Sequence, residues 1–117
     1  MIIDDIPSLS ELCSAKDLPL HVDCGLGGYL LPFLDEKNFD FRLKGVTSMS
    51  LDNYKYGQSP KGLGIVLFRT RELRRNMYFI QHDWTGGIYA TSTTWGSKGA
   101  HVIAGGWFAM VYSGIAG

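Results

Sequence analysis

The run LPLHVDCGLGG, residues 18 to 28, constrains this chain more than any other stretch. Leu18 to Cys24 is short and apolar on both faces, the pattern of a parallel strand covered by helices rather than of a strand with one wet side. Gly25, Gly27 and Gly28 follow directly, so the backbone can turn away from the strand end and approach a ligand closely. In open α/β sheets, ligands sit at such carboxyl ends. The glycines follow Asp23 and no second acidic residue suits a ribose, so they form no dinucleotide fingerprint and have turn and packing roles.

Around this strand the pattern alternates between helix and strand. Asp4 and Asp5 precede Pro7, and Leu9, Leu12 and Cys13 recur at helical spacing, predicting a capped helix over residues 6 to 16 that Lys16 and Asp17 end. A short helix and a loop with Phe39, Phe41 and Arg42 fill residues 29 to 44. Val46 to Leu51 reads as a second strand, delivering Asp52, Asn53, Tyr54 and Lys55. Pro60 and Gly62 then turn the chain into Leu63 to Phe68, a hairpin partner. A helical turn over residues 70 to 76 and an extended Met77 to Gln81 follow. Residues 82 to 99 read as irregular, ordered by Trp84, Tyr89 and Trp95.

Several classes of function are set aside by composition. The 117 residues carry 11 Lys and Arg against 11 Asp and Glu, so no electrostatic footprint for nucleic acid or an acidic membrane exists. The one basic run, RTRELRR at 69 to 75, reads as a solvated helix face. Cys13 and Cys24 lack the spacing of a zinc site or a secreted disulfide framework, so no metal is expected and a reducing, cytosol-facing compartment is the default. MIIDDIPSL has no basic region leading into an apolar signal core. AHVIAGGWFAMVYSGIAG, residues 100 to 117, is about as long as a bilayer span. His101, Ser113 and its internal glycines weaken it, and the reading is a buried or half-buried helix with no transmembrane span.

The chemistry-bearing pair is Asp23, at the end of the first strand, and Lys55, just past the second. A lysine amine forms a Schiff base with the aldehyde of pyridoxal phosphate, and a carboxylate beside the ring nitrogen keeps that nitrogen protonated. Taken alone, the two residues read rather as a strand-end Asp capping the next turn and an ordinary surface Lys. His21 lies two residues before Asp23, so both side chains share one strand face; in isolation such a His is a core residue.

PLHVDCGLGGYLLPF, FDFRLKGVTSMSLDNYKYGQSPKGLGIVLF and DWTGGIYATSTTWGSKG resemble successive segments of sphingosine-1-phosphate lyases, members of the pyridoxal-phosphate-dependent decarboxylase-like group. KYGQSPKG is similar to that family's KYGYAPKG, and DWTGGIYA to its DWQGGIYA. The resemblance runs over nearly the whole chain. It implies an α/β fold, the partial large domain of the aspartate-aminotransferase-like type I fold, with a mostly parallel sheet and one antiparallel strand. Residues 1–117 would be the middle of the cofactor domain, with the upstream phosphate-binding part and the C-terminal small domain absent.

By the same resemblance, Lys55 is the Schiff-base lysine and Asp23 the partner of the pyridine nitrogen. Lys61, in SPKG, is a second active-site lysine, useful as a cation near the phosphate or the reacting hydroxyl. His21 counts among the cofactor-binding residues only as Asp23's neighbour. The implied reaction is retro-aldol cleavage of a phosphorylated long-chain base to a fatty aldehyde and phosphoethanolamine, by a homodimer when full-length. The implied location is cytosol-facing, with association of the full-length enzyme with the endoplasmic reticulum membrane left open. A noncatalytic pseudoenzyme and an amino-acid decarboxylase are the alternatives.

The departures bear on activity. Tyr54 replaces a His and Asn53 a Thr beside the lysine, and Gln58 replaces a Tyr. ASPT becomes Ala90, Thr91, Ser92 and Thr93, and Lys98 stands for an Arg, a change that loses bidentate phosphate binding.

Overall fold

Residues 2–34, 38–92 and 96–114 are described by the structure, a computed structural model. Helix α1 (Ile6–Ala15) starts where Asp5 accepts from the Ser8 amide and hydroxyl, with Pro7 in its first turn, and it ends as Asp17 adopts a left-handed conformation at φ 53°. Strand β1 (Leu20–Asp23) follows, then a single 3-10 turn (Leu31–Phe33) where a short helix was expected. Strands β2 (Val46–Asp52) and β3 (Gly64–Phe68) complete a three-stranded sheet in the order β1-β2-β3. β1 and β2 run parallel, and β3 returns antiparallel as the hairpin reading predicted. The core is Ile6, Val22, Cys24, Leu31, Phe39, Val46 and Met49, with Leu20, Phe41, Leu43 and Leu51 packed against it.

One irregularity decides which side chains meet. Leu20 pairs with Val46, but His21 pairs with Ser48, so the register slips by one residue and Thr47 has no partner across the ladder. Thr47 Oγ1 donates instead to the Leu20 carbonyl at 3.0 Å. A one-residue slip exchanges the faces of a strand. Here it lets Val46 and Met49, three residues apart, both enter the core, while His21 and Asp23 lie beside Ser48 and Ser50 on the other side.

The basic run contains a correction to the sequence reading. Helix α2 (Arg71–Arg75) is exposed and capped by Thr70, as a solvated face should be. Arg69, however, is a clamp: its Nε donates to the Val46 carbonyl at 2.7 Å and its Nη2 to the carbonyls of Phe41 and Leu43, with the guanidinium 5.4 Å from the Phe41 ring. It fastens the incoming loop to the start of β2.

The stretch read as irregular holds a second correction. Strands β4 (Phe79–Gln81) and β5 (Tyr89–Thr91) pair antiparallel. Between them Gly87 turns back at φ 106°, its amide donating to the Trp84 carbonyl, and a Cβ on Gly86 would lie 2.6 Å from the Trp84 ring. The order expected of the aromatics comes from Trp84 meeting Tyr89 edge-on at 5.9 Å; Thr93 and Trp95 fall outside the described residues.

Helix α3 (Ala100–Ser113) forms as expected but is not buried. It comes closest to the rest of the chain at its glycines, where Cβ atoms on Gly105 and Gly106 would meet Pro60 at 2.9 Å and Leu63 at 2.1 Å, and Met110 Sδ accepts from the Tyr29 hydroxyl at 3.8 Å. Its remaining apolar surface, including Ile103, Trp107, Phe108, Val111 and Tyr112, is exposed. No helix among the described residues is long and apolar enough to cross a membrane. The accessible surface is 8787 Å², whereas a compact monomer of 13.0 kDa has about 6,300 Å². The radius of gyration, 16.7 Å, likewise exceeds the roughly 13 Å of a compact domain near this size.

Candidate active site

Because β1 and β2 are adjacent and parallel, their carboxyl ends deliver Asp23 and Asp52 side by side, with Lys55 in the turn beyond Asp52. A Cβ built on Gly25 would lie 3.1 Å from both Asp23 Oδ1 and Asp52 Oδ2, so the two oxygens are at most twice that distance apart. Glycine keeps the space between them open.

Asp23 is exposed, and its Oδ1 accepts from the Gly25 amide at 2.9 Å and the Ser50 hydroxyl at 3.0 Å. These two donors, the Gly25 amide foremost, hold its carboxyl below the ordinary carboxylate range; His21 and Lys55 add to the effect, and partial desolvation opposes it. A carboxylate held ionised suits a cationic partner.

Lys55 is fixed in its turn by its amide donating to the Asp52 carbonyl and its carbonyl accepting from the Gln58 amide. Gln58, where the resembled family has Tyr, is left-handed at φ 53°. The ammonium of Lys55 pairs with Asp52 Oδ2 at 2.9 Å, and this contact raises its pKa above the ordinary lysine value against weak desolvation. The Tyr54 hydroxyl donates to the same Asp52 oxygen at 3.1 Å. The residue that departs from the family's His therefore shares Asp52 with the lysine.

Asn53 is fully buried and anchors this turn. Its Oδ1 accepts from the Tyr29 hydroxyl and its carbonyl from the Ser59 amide, while its Nδ2 has no partner among the described residues. Gly57 passes so close that a Cβ would lie 2.6 Å from the Asn53 carbonyl oxygen.

The structure thus brings Asp23, His21 and Lys55 to one region. Lys61 is exposed in the turn before β3 and makes no hydrogen bond or ion pair among the described residues. Lys98 lines a hollow of about 470 Å³ that also takes in Asp52 and Tyr54 beside Lys55, together with Gly62, Gly64 and Val102. No group of three metal-ligating side chains occurs among the described residues. Sequence reasoning missed Ser48 and Ser50 and gave Asp52, delivered by the second strand, no role of its own, although the alternation in SMSLD already placed these three on one strand face opposite Met49 and Leu51.

The mixed sheet has an α/β fold shared with pyridoxal-phosphate-dependent enzymes. Within that class the chain is sphingosine-1-phosphate lyase-like over nearly its whole length. It is 46% identical over 121 residues to the sphingosine-1-phosphate lyase of Oryza sativa, covering 99% of this chain and 22% of that protein. It is 42% identical over 119 residues to sphingosine-1-phosphate lyase 1 of Rattus norvegicus, covering 97% and 21%. The structure of the Burkholderia pseudomallei sphingosine-1-phosphate lyase superposes with a TM-score of 0.88 at 44% identity, over 97% of this chain and 27% of that one. Glutamate decarboxylase of Lactobacillus brevis is a more distant fold relative, with a TM-score of 0.79 at 27% identity over the same shares. No protein-family model matches. The chain spans about a fifth of the length of the curated relatives.

Proposed function

We propose that these residues form the ring-nitrogen and lysine side of a pyridoxal-phosphate site in a carbon–carbon lyase that cleaves phosphorylated sphingoid bases to a fatty aldehyde and phosphoethanolamine. The observation that carries the reading is the placement of an ionised Asp23 and of Lys55 at the ends of neighbouring parallel strands, with Gly25 leaving the space between Asp23 and Asp52 clear. That donor set fits the cofactor: a carboxylate for a protonated ring nitrogen and a primary amine for an aldehyde.

Bound there, pyridoxal phosphate would supply an electron sink next to the amine-bearing carbon of the substrate. Asp23 would hold the ring nitrogen in its protonated form, and Gly25 would let the ring approach the backbone. Lys55 would hold the aldehyde carbon, after giving its extra proton to solvent or to Asp52. Lys61 is proposed as a cation for the substrate phosphate or hydroxyl, and His21 as a neighbour that supports Asp23. We further propose that residues 1–117 are the central part of the cofactor domain, with the phosphate-binding part and the small domain supplied outside them. The full-length enzyme is proposed to be a cytosol-facing homodimer, with association to the endoplasmic reticulum membrane included in that proposal.

The chain is titrated with pyridoxal phosphate, reduced with borohydride and mapped by peptide mass, with Lys55→Ala as control. Stoichiometric label confined to Lys55 supports the reading. Label that is absent, or scattered equally in Lys55→Ala, refutes a cofactor site in this chain. That result favours the second reading, a noncatalytic relative, for which Tyr54 sharing Asp52 with Lys55 is the specific observation. In a labelled, complete enzyme, release of fatty aldehyde rather than carbon dioxide separates the lyase from a decarboxylase.

A further inference from the structure

Asp23 uses its two carboxylate oxygens unequally. Oδ1 receives both the Gly25 amide and the Ser50 hydroxyl, whereas Oδ2 receives no hydrogen bond from the described residues. Ser50 also lies 3.3 Å from His21 Nε2, and His21 Nδ1 lies 2.8 Å from the Ser48 hydroxyl. The four side chains form one row across β1 and β2, made possible by the register slip that sets His21 opposite Ser48 and Asp23 opposite Ser50.

A proton inventory gives the row a direction. An ionised Asp23 accepts only, so the single Ser50 proton points to Asp23 Oδ1. Ser50 Oγ can then meet His21 only as an acceptor, which requires a proton on Nε2. In neutral His21 this leaves Nδ1 as an acceptor, and the Ser48 hydroxyl turns to donate to it. In charged His21, Nδ1 donates and the Ser48 hydroxyl rotates away. The link from His21 through Ser50 to Asp23 runs the same way in both states.

We propose that His21 and Ser50 are positioning residues for Asp23: a directed relay, His21 Nε2–H to Ser50 Oγ–H to Asp23 Oδ1, fixes the carboxylate and reserves Oδ2 for a cationic ring nitrogen. The last clause rests on the cofactor reading above; the relay itself does not. It assigns a function to His21 that residue type alone did not, and it brings in Ser50 as a strand residue whose hydroxyl joins His21 to Asp23.

Two cofactor-free measurements on the intact chain test it. Imidazole ¹⁵N shifts of neutral His21 are expected to show the Nε2–H tautomer; the Nδ1–H tautomer would overturn the relay, and this readout needs no variant. Carboxyl ¹³C titration of Asp23 is expected to move upward in Ser50→Ala and return in Ser50→Thr, which keeps the hydroxyl, while Asp40 stays put as an internal control. An Asp23 titration unmoved by Ser50→Ala, or shifted equally by Ser50→Thr, would overturn the proposal. Because neither readout involves pyridoxal phosphate, failure of the relay is distinguishable from failure to label Lys55.

Discussion

Gly45 sits where the loop from Arg42 enters β2, pressed against α1, and Gly45→Ala should dislodge that helix. A Cβ there would lie 2.3 Å from the Ser10 carbonyl oxygen, 2.7 Å from Ser10 Oγ and 2.9 Å from the Ser10 carbonyl carbon. The nearest atom is helix backbone, so no rotamer change relieves it. Restoring ordinary contact requires α1 to move by roughly 1 Å, a strain of about 1–3 kcal/mol by analogy with overpacked cores. The same shift loosens the buried bond from the Gly45 amide to Ser10 Oγ at 2.9 Å, and leaving that donor unpaired costs about 1–3 kcal/mol more. The expected loss, about 2–6 kcal/mol, compares with the 5–15 kcal/mol typical of whole domains. Urea unfolding followed by far-UV circular dichroism should show a lowered midpoint with an unchanged slope. Ser10→Ala in the Gly45→Ala background should give no rescue, because the shortest contact is with main chain. An unmoved midpoint, or recovery in the double variant, would refute the backbone-clash argument.

Arg69→Met should lower stability by about 1–3 kcal/mol in the same assay, because three carbonyls lose a charged donor. Arg69→Lys should restore little, since one ammonium cannot reproduce the planar fork that reaches Val46, Phe41 and Leu43 together; full recovery with Lys would count against the clamp. At Cys24, burial, aided by the charges of Asp23 and Asp40, pushes the thiol from 9.0 up to about 11. Mass-resolved iodoacetamide alkylation at pH 8 should therefore modify Cys24 far more slowly than Cys13. The contrast should vanish in urea, and equal rates in the folded chain would contradict the burial.

The strand ends were legible because their signals are local. Leu18 to Cys24 needed only its apolar run, and the Pro60–Gly62 turn into Leu63–Phe68 only its punctuation. Asp23 and Lys55 followed from motif resemblance, and the fold gives them adjacent positions. What escaped was set by register. Nothing local in LPLHVD reveals that β1 slips by one residue on β2, and without that slip His21 would face Thr47 rather than Ser48. Arg69 was read as part of a solvated helix because its run is basic, yet its partners are carbonyls contributed from 23 to 28 residues upstream. The exposure of α3 was illegible for a related reason: an apolar helix implies burial only when some surface is there to cover it.

That exposure bears on the chemistry of Lys55. Two effects oppose each other on its amine: the contact with Asp52 favours the ammonium, and desolvation favours the neutral form. With the strand ends open to water, the carboxylate prevails and the amine stays protonated, which suppresses its attack on an aldehyde. Covering this region with low-dielectric protein would strengthen desolvation and the Asp52 attraction together, so burial alone does not release the amine. Tyr54 does not reverse that balance: its hydroxyl lies 3.1 Å from the shared Oδ2, and Tyr54, like Asp52, favours the ammonium of Lys55. The exchange of His for Tyr beside the lysine therefore gives the amine no route out of its ion pair with Asp52, the feature that favours the noncatalytic reading.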